Sequence, residues 1–240
     1  RVEERTAELE KLNRTLSMEI AERLKSENRL KTIIKEKDIL IKEVHHRVKN
    51  NMQVISSLLD MSKSRAKHPE TLDLLSEAQA KIFTMSLIHS QLYQSDRFDE
   101  INMGVFIRSL VDHLSQMHCG KKNINLTIEA ADIYLSVTQA IPCGLTVNEI
   151  ISNAYKHAFD WKKSGEIIIS LQKKQDYKLH LNIRDNGIGI PDHVNIDNTE
   201  TLGIKLVRNL VIMQLKGDLQ FKIRNGTEID IEFDLVNYHP

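Results

Sequence analysis

The first 66 residues predict one long amphipathic helix. The segment contains neither glycine nor proline, and apolar residues recur along it at three- and four-residue spacing. The stripe shifts by one position near its middle, which predicts a stutter, a local change of supercoil. A helix of this length has no other way to bury a stripe, so the pattern favours a coiled coil over a solvated helix. The apolar stripe residues are Leu9, Leu12, Leu16, Ile20, Leu24, Leu30, Ile33, Leu40 and Val44.

A second helix is predicted after the break at His68 and Pro69, because a residue before proline avoids the helical conformation. We expect it over residues 70–94, which makes a helical hairpin with the first helix. One hairpin buries little apolar surface alone, so two chains forming a four-helix bundle are the expected arrangement. The predicted heptad stripe consists of Leu75, Ala78, Ile82, Met85, His89 and Leu92.

From residue 99 onward, helical patterns mix with strict alternation of apolar and polar residues. Asn225-Gly226 between two alternating runs predicts a β-hairpin. Strands with one apolar side, joined by hairpins, predict a mostly antiparallel sheet with helices on one face, so the overall fold class is α+β. We expect helices over 101–117, 139–159 (with Pro142 in the first turn) and 202–216, and strands over 124–129, 133–137, 177–184, 219–223 and 229–235.

Composition limits the partners and the cellular compartment that can be expected for the chain. The 240 residues carry 33 basic and 33 acidic side chains, so no bulk charge attracts nucleic acid or an anionic membrane, and neither partner is expected for this segment. The two cysteines, Cys119 and Cys143, lie far apart and indicate neither a disulfide framework nor a zinc site. No apolar run reaches the ~18 residues of a membrane span, and there is no signal peptide. Because the chain opens in mid-helix pattern without methionine, we expect the cytosolic part of a longer protein.

The stretch "NEIISNAYKHAF" (148–159) carries the first candidate chemistry. Glu149, Asn153 and Lys156 are spaced i, i+4 and i+7, which predicts one polar stripe on an otherwise apolar helix. Such a stripe suits a magnesium-bound polyphosphate: Asn153 offers Mg²⁺ a hard oxygen, Lys156 meets phosphate charge and Glu149 orients a metal-bound water. A solvated helix face is the alternative.

Three further motifs follow along the chain. In "RDNGIGIP" (184–191), Gly187 and Gly189 permit close backbone approach, and Asp185 can accept a hydrogen bond from an amino group such as that of adenine, although an ordinary tight turn has the same letters. In "TLGIKLV" (201–207), Gly203 stands where a loop enters a helix, whose N-terminus can bind anions. In "NGTEIDIEF" (225–233), Thr227 begins a strand.

The order of these four motifs resembles the ATP-binding domain shared by histidine kinases, gyrase-type ATPases, Hsp90 and MutL. The stretch "HHRVKNN" (45–51), followed by "VISSLL" (54–59), resembles the phosphoacceptor box of one histidine kinase subclass. The resemblance covers about residues 40–235. It implies a signalling coiled-coil helix over 1–42, a dimerisation and phosphotransfer hairpin over 43–97, and a catalytic ATP-binding α/β sandwich over 98–237.

The resemblance assigns roles to individual residues. It implies that Asn153 ligates Mg²⁺ and that Glu149 either orients a metal-bound water or belongs to a polar chain. It also implies that Lys156 and His157 face the nucleotide phosphates. The sequence also departs from the common kinase pattern: the second glycine box has one glycine, residues 191–201 form a short lid, and no phenylalanine-centred box is evident.

The remaining matches surround the base and the phosphates. By resemblance, Asp185 recognises the adenine amino group, Gly187 and Gly189 shape the pocket, Gly203 is the second glycine box and Thr227 lies beside the adenine.

Helix geometry favours one of the two adjacent histidines as the phosphoacceptor. At about 100° per residue, His45 lies roughly 100° from the seam expected to be buried, and His46 roughly 200° from it, facing solvent. A phosphoacceptor must be exposed, and His46 also has Asn50 at i+4, where the family often has a residue that handles hydrolytic water. Glu43, one turn earlier, is a candidate proton acceptor. The seam residues are Val44, Val48, Asn51, Ile55 and Leu58.

These observations predict the core of a sensor histidine kinase that transfers phosphate from ATP-Mg²⁺ to His46, then to an aspartate of a response regulator receiver domain. Response-regulator phosphatase activity is a possible addition. We expect a homodimer in the cytosol, belonging to a membrane-anchored receptor whose upstream sensor domain lies outside this chain. The alternatives are an ATPase or serine kinase with the same type of pocket, which leave the HHRVKNN helix unexplained, and a scaffold with a degenerate nucleotide site.

Overall fold

A computed structural model describes residues 1–94, 100–117, 123–159, 164–174, 177–191 and 202–235. The chain divides into two units, residues 1–47 and residues 48–240. Helix α1 (Val2–Arg65) is continuous, as its composition predicts, and none of its residues is buried. Its apolar stripe is open to solvent in the single chain, with Leu9 65% and Leu40 65% exposed. Within the described residues, no helix combines the length and apolarity that crossing a membrane requires.

Helix α2 (Pro69–Gln94) begins at a proline, which suits the first position of a helix because its missing N–H would have no partner there. The helix buries a ridge of residues spaced by four: Ala80, Thr84, Ile88 and Leu92. This ridge packs against helices α3 (Met103–Met117) and α4 (Val137–Asn153). Of the predicted heptad stripe only Leu92 belongs to the ridge, and the other members are partly buried.

Gly144 of α4 lies where the side chains of α3 and α2 approach that helix most closely. A Cβ at this position would lie 2.7 Å from the Phe106 ring and 3.3 Å from Cδ1 of Ile88. Ile88 and Leu92 are at most 1% exposed and share one hydrophobic core with the sheet. The second half of α2 is therefore part of the core of the second unit.

The main sheet has five strands: β2 (Asn123–Ala130), β4 (Ser164–Lys173), β5 (Lys178–Asp185), β6 (Asp218–Arg224) and β7 (Gly226–Asp234). Their spatial order is β2-β4-β5-β7-β6. Strands β2 and β4 are parallel and the other neighbours are antiparallel, so the predicted mostly antiparallel sheet is confirmed. A separate small antiparallel pair joins β1 (Glu100–Asn102) to β3 (Tyr134–Ser136).

Several predicted elements need correction. Strand β4 was not predicted, although Ile167, Ile169 and Leu171 are fully buried in it. The helix predicted from residue 101 begins at Met103, because residues 100–102 pair with β3. Pro142 lies in the second turn of α4, which begins at Val137, and the helix predicted to continue to 159 passes into a π-helical turn over Ala154–Ala158. The helix expected over 202–216 is α5 (Leu202–Arg208) followed by a π-helical segment, Asn209–Gln214.

The alternation in β5 sorts its side chains onto two faces as predicted. Leu179, Leu181 and Ile183 are at most 2% exposed and face the helices. On the opposite face, His180 Nε2 lies 2.9 Å from Asp230 Oδ1, and Asn182 and Lys222 also bond to this carboxylate. Partial burial favours the neutral acid, but these hydrogen bonds outweigh it and lower the pKa of Asp230. The helices therefore cover one face and a polar network covers the other.

Candidate active site

A cavity of about 440 Å³ opens between α4, the loop after β5, the start of α5 and the β6–β7 hairpin. Its wall is mostly aliphatic, with a few polar side chains that converge from separate elements, the usual composition of a small-molecule site. Six of the residues predicted from sequence line it: Asn153, His157, Asp185, Gly189, Gly203 and Thr227. The apolar lining includes Ile150, Ala154, Ile188, Ile190, Val207, Phe221 and Ile229.

Asp185 ends strand β5 at the floor of the cavity. Its Oδ1 accepts hydrogen bonds from the backbone N–H of Gly187 at 2.8 Å and of Thr227 at 3.2 Å. These two donors fix the orientation of the carboxylate, and charge-assisted bonds of this kind are stronger than neutral ones. The structure thus brings Asp185, Gly187 and Thr227 together, and a flat apolar ring bearing an amino group would fit beside them.

Glycines allow the backbone to fold closely around Asp185. A Cβ at Gly187 would collide with the carbonyl oxygen of Ala158, and one at Gly226 would collide with that of Asp185. Gly189 and Gly226 adopt φ of +77° and +122°, which L side chains rarely take. The loop is also tied to the π-helical turn, because the Ile188 N–H donates to the Ala158 carbonyl at 3.0 Å. Gly226 was predicted only as a hairpin residue, so its contact with Asp185 was missed.

Glu149 and Asn153 meet at Gly203. A Cβ on Gly203 would collide with Glu149 Oε1 and lie 3.2 Å from Asn153 Nδ2, so any larger residue would have to displace the Glu149 carboxylate. Among the described residues, no group of three or more His, Cys, Asp and Glu side chains forms a metal cluster. The oxygens of Glu149 and Asn153 are nevertheless the hard donors that Mg²⁺ accepts when nucleotide phosphates complete its coordination, so this edge fits that ion.

Lys156 does not follow Glu149 and Asn153 into this part of the site. Lys156 lies in the π-helical turn that begins at Ala154, and like Glu149 it forms an ion pair with a side chain of α2. His157 lines the cavity, whereas Lys156 forms an ion pair with Glu77 of α2. The predicted contact of Lys156 with the nucleotide phosphates stays a prediction.

Helix α2 supplies three more polar contacts that sequence patterns did not indicate. Lys81 Nζ lies 3.0 Å from Glu149 Oε2, and the buried Asn148 amide donates to the Ala80 carbonyl at 2.9 Å and to Thr84 Oγ1 at 2.5 Å. These partners lie 64 to 68 positions apart in the sequence, a distance over which neither helical nor strand periodicity relates two residues. One sequence feature could have indicated this interface: Glu77 and Lys81 are spaced i, i+4 on α2, and their charges complement those of Lys156 and Glu149.

The candidate phosphoacceptor lies on α1. His46 is exposed and His45 is partly buried. Glu43 Oε1 lies 2.7 Å from Arg47 Nε, so the candidate proton acceptor also has an ion-pair partner one turn away. Asn50 is exposed on the same helix.

Comparisons with known protein families match both parts of the chain. Residues 43–118 match the family described as "Histidine kinase". Residues 138–237 match the family described as "Histidine kinase-, DNA gyrase B-, and HSP90-like ATPase". The second match contains all the cavity residues that the sequence predicted.

Individual relatives carry related names. The chain is 27% identical over 196 residues to the sensor histidine kinase PdtaS of Mycobacterium tuberculosis, covering 80% of this chain and 39% of the relative. It is 28% identical over 207 residues to blue-light-activated histidine kinase 2 of Erythrobacter litoralis, covering 83% and 58%. The chain therefore spans less than two thirds of the length of these relatives.

A solved structure shares the fold. The histidine kinase domain of the blue-light-activated kinase EL346 from Erythrobacter litoralis matches with a TM-score of 0.62 at 21% identity, covering 76% of this chain and 96% of that one. At this identity the likeness concerns the fold alone. The two family matches identify the chain as a member of the histidine kinases, with a kinase core formed by a helical phosphoacceptor region and a GHKL-type ATP-binding domain.

Proposed function

We propose that this core binds ATP with Mg²⁺, transfers the γ-phosphoryl group to His46 and passes it to an aspartate of a response regulator. The observation that carries the proposal is the Asp185 carboxylate, held by the N–H groups of Gly187 and Thr227 in an apolar cavity. An ATP site of this kind in the same chain as the HHRVKNN helix is what protein-histidine phosphorylation requires.

The cavity supports a definite orientation of the nucleotide. Adenine would enter among Ile188, Phe221 and Ile229, with its amino group donating to Asp185. The phosphates would extend towards Gly203 and His157, both of which line the cavity. Asn153 and Glu149 would hold Mg²⁺ directly or through water, and this ion would neutralise phosphate charge.

His46 would act as the nucleophile. One of its ring nitrogens forms a bond to the γ-phosphorus while the bond to the bridging oxygen breaks, and ADP leaves with that electron pair. The ring proton passes to a base, for which Glu43 is the candidate on the same helix face. Asn50, at i+4 from His46, would orient a water for hydrolysis of the phosphorylated regulator, because its amide can hold water but does not titrate.

The exposed stripe of α1 supports a homodimer as the working form. Ile55 and Leu58 are 45% and 56% exposed in the single chain and belong to the seam predicted for a four-helix bundle. Pairing with a second copy would bury this seam and leave His46 accessible to ATP and to the regulator. We further propose a cytosolic location, where ATP and response regulators are found, and an upstream sensor that acts through α1.

Incubation with ATP labelled at the γ-phosphate, followed by acid and alkali treatment of the protein, tests the proposal. Phosphohistidine gives a label that is lost in acid and kept in alkali. An acid-stable label would indicate a serine kinase instead. Release of free phosphate without any protein label would indicate an ATPase.

A further inference from the structure

We propose that Lys81 of α2 is a positioning residue for Glu149, so that the magnesium edge of the ATP site is complete only while α2 packs on α4. The inference rests on the proposed binding of ATP-Mg²⁺, because the role of Glu149 there is part of that proposal. It adds a residue outside the ATP-binding domain to the machinery of the site.

Contacts of α2 with α4 and the π-helical turn that continues it follow one antiparallel register. Moving along α2, Glu77 meets Lys156, Lys81 meets Glu149, Thr84 meets Asn148 and Ile88 approaches Gly144. Lys81 therefore lies in the middle of an ordered interface with apolar packing at one end.

The two oxygens of Glu149 point to different partners. Oε2 lies 3.0 Å from Lys81 Nζ, whereas Oε1 is the atom that a Cβ on Gly203 would strike. A cation that fixes Oε2 thus aims Oε1 at the edge of the cavity where Gly203 and Asn153 lie. Without Lys81, the carboxylate could turn away from this edge.

Because the Glu149 carboxylate is buried, it requires a cationic partner. Its side chain is 7% exposed and that of Lys81 is 21% exposed. A carboxylate removed from water is costly unless it is paired, and removing one partner of a buried pair leaves an uncompensated charge. The pair with Lys81 therefore fixes the direction of this side chain.

Alternation of charge makes the register specific. On α2 the acidic Glu77 is followed one turn later by the basic Lys81. On the opposite helix, the basic Lys156 pairs with Glu77 and the acidic Glu149 pairs with Lys81. Sliding α2 by one turn would place like charges opposite each other, which disfavours that register. Separation of α2 from α4 would remove the cation from Glu149, which links the packing of the helical region to the ATP site.

Calorimetric titration with ATP, in Mg²⁺ and in EDTA, tests the role of Lys81. Lys81→Met and Glu149→Gln should each weaken ATP binding about tenfold in Mg²⁺, the loss typical of one charged hydrogen bond, and change it less than about twofold in EDTA. Lys81→Arg should retain most of the Mg²⁺-dependent affinity, because its guanidinium can still pair with the carboxylate. The double variant Lys81→Met/Glu149→Gln should bind no more weakly than Glu149→Gln alone.

Lys174→Met is the matched control, because Lys174 forms an ion pair with Glu232 on the solvent face of the sheet. It should bind ATP like the wild type in both solutions. Equal losses with and without Mg²⁺, additive losses in the double variant, or an arginine variant as weak as the methionine one would each overturn the proposal. If the wild type binds ATP-Mg²⁺ with this pattern of variants but never phosphorylates itself, the role of Lys81 stands and the proposed kinase function fails.

Discussion

One oxygen of the Asp185 carboxylate accepts two backbone N–H groups, from Gly187 two residues later and from Thr227 forty-two residues later. The first contact was predictable, because the DNG sequence places a carboxylate before a glycine turn. The second depends on pairing of β5 with β7, which spacing along the chain does not reveal. The resemblance to a known family, rather than the residues themselves, is what indicated Thr227.

Asp185→Asn should weaken ATP binding about ten- to a hundredfold, because replacing a charge-assisted acceptor costs roughly 1.5–3 kcal/mol. Isothermal titration calorimetry measures the dissociation constant directly. Asp218→Asn, which changes an exposed carboxylate at the start of β6, is the control and should leave the affinity unchanged. Equal affinities of wild type and Asp185→Asn would mean that the DNGIGI loop is only a turn.

Asn50→Ala should autophosphorylate at close to the wild-type rate and dephosphorylate its regulator several-fold more slowly. The i, i+4 side chains of a helix lie about 5–6 Å apart at Cβ, so the Asn50 amide can reach water near the phosphoryl group on His46. Lys49→Ala, at i+4 from His45, serves as the control. A parallel fall of both activities would assign Asn50 to the helix or to docking of the ATP-binding domain instead.

At the scale of elements, α2 buries a ridge that the heptad pattern did not indicate. The ridge is spaced by four and contains the polar Thr84, whereas the predicted heptad stripe, expected at a dimer seam, is partly buried in the single chain apart from Leu92. Thr84 Oγ1 donates to the Ala80 carbonyl and accepts from the Asn148 amide, which compensates for its burial, and only the tertiary structure reveals the second partner. The π-helical turn over Ala154–Ala158 likewise has no signal in a single sequence. Strand β4 is different, because the β-branched run "EIIIS" was visible and could have been read as a strand.

Ile88→Ala should lower the free energy of unfolding by about 2–5 kcal/mol, because a fully buried isoleucine is replaced by a cavity. Leu74→Ala on the same helix is the control, since Leu74 is 59% exposed, and it should cost less than about 0.5 kcal/mol. Denaturant titration measures both. Similar small losses at the two positions would show that α2 does not belong to the core of the ATP-binding unit.

At the scale of the whole molecule, composition and periodicity were sufficient to predict the α+β class, the long glycine-free helix and the mostly antiparallel sheet with helices on one face. These features follow from local regularities that recur over many residues. The contacts of α2 with α4 could not be predicted, because they join segments distant in sequence through charges that would be equally acceptable on a solvated face.

The chain should be a homodimer at micromolar concentration, held by residues of about 30–95. Replacing Ile55 and Leu58 with aspartate should shift it to the monomer, because like charges would face each other across the seam. Gln53→Asp, an exposed polar position on the same helix, should leave the mass unchanged. Sedimentation equilibrium gives these masses, and a monomeric wild type would count against the four-helix bundle.

The identity of the phosphorylated histidine is the most direct test of the proposed kinase function. Wild type, His45→Gln and His46→Gln are incubated with γ-labelled ATP, and nucleotide affinity is measured on the same preparations. We predict that His46→Gln binds ATP normally but takes no label, whereas His45→Gln retains a measurable fraction of the wild-type label. Full labelling of His46→Gln would show that His46 is not the phosphoacceptor.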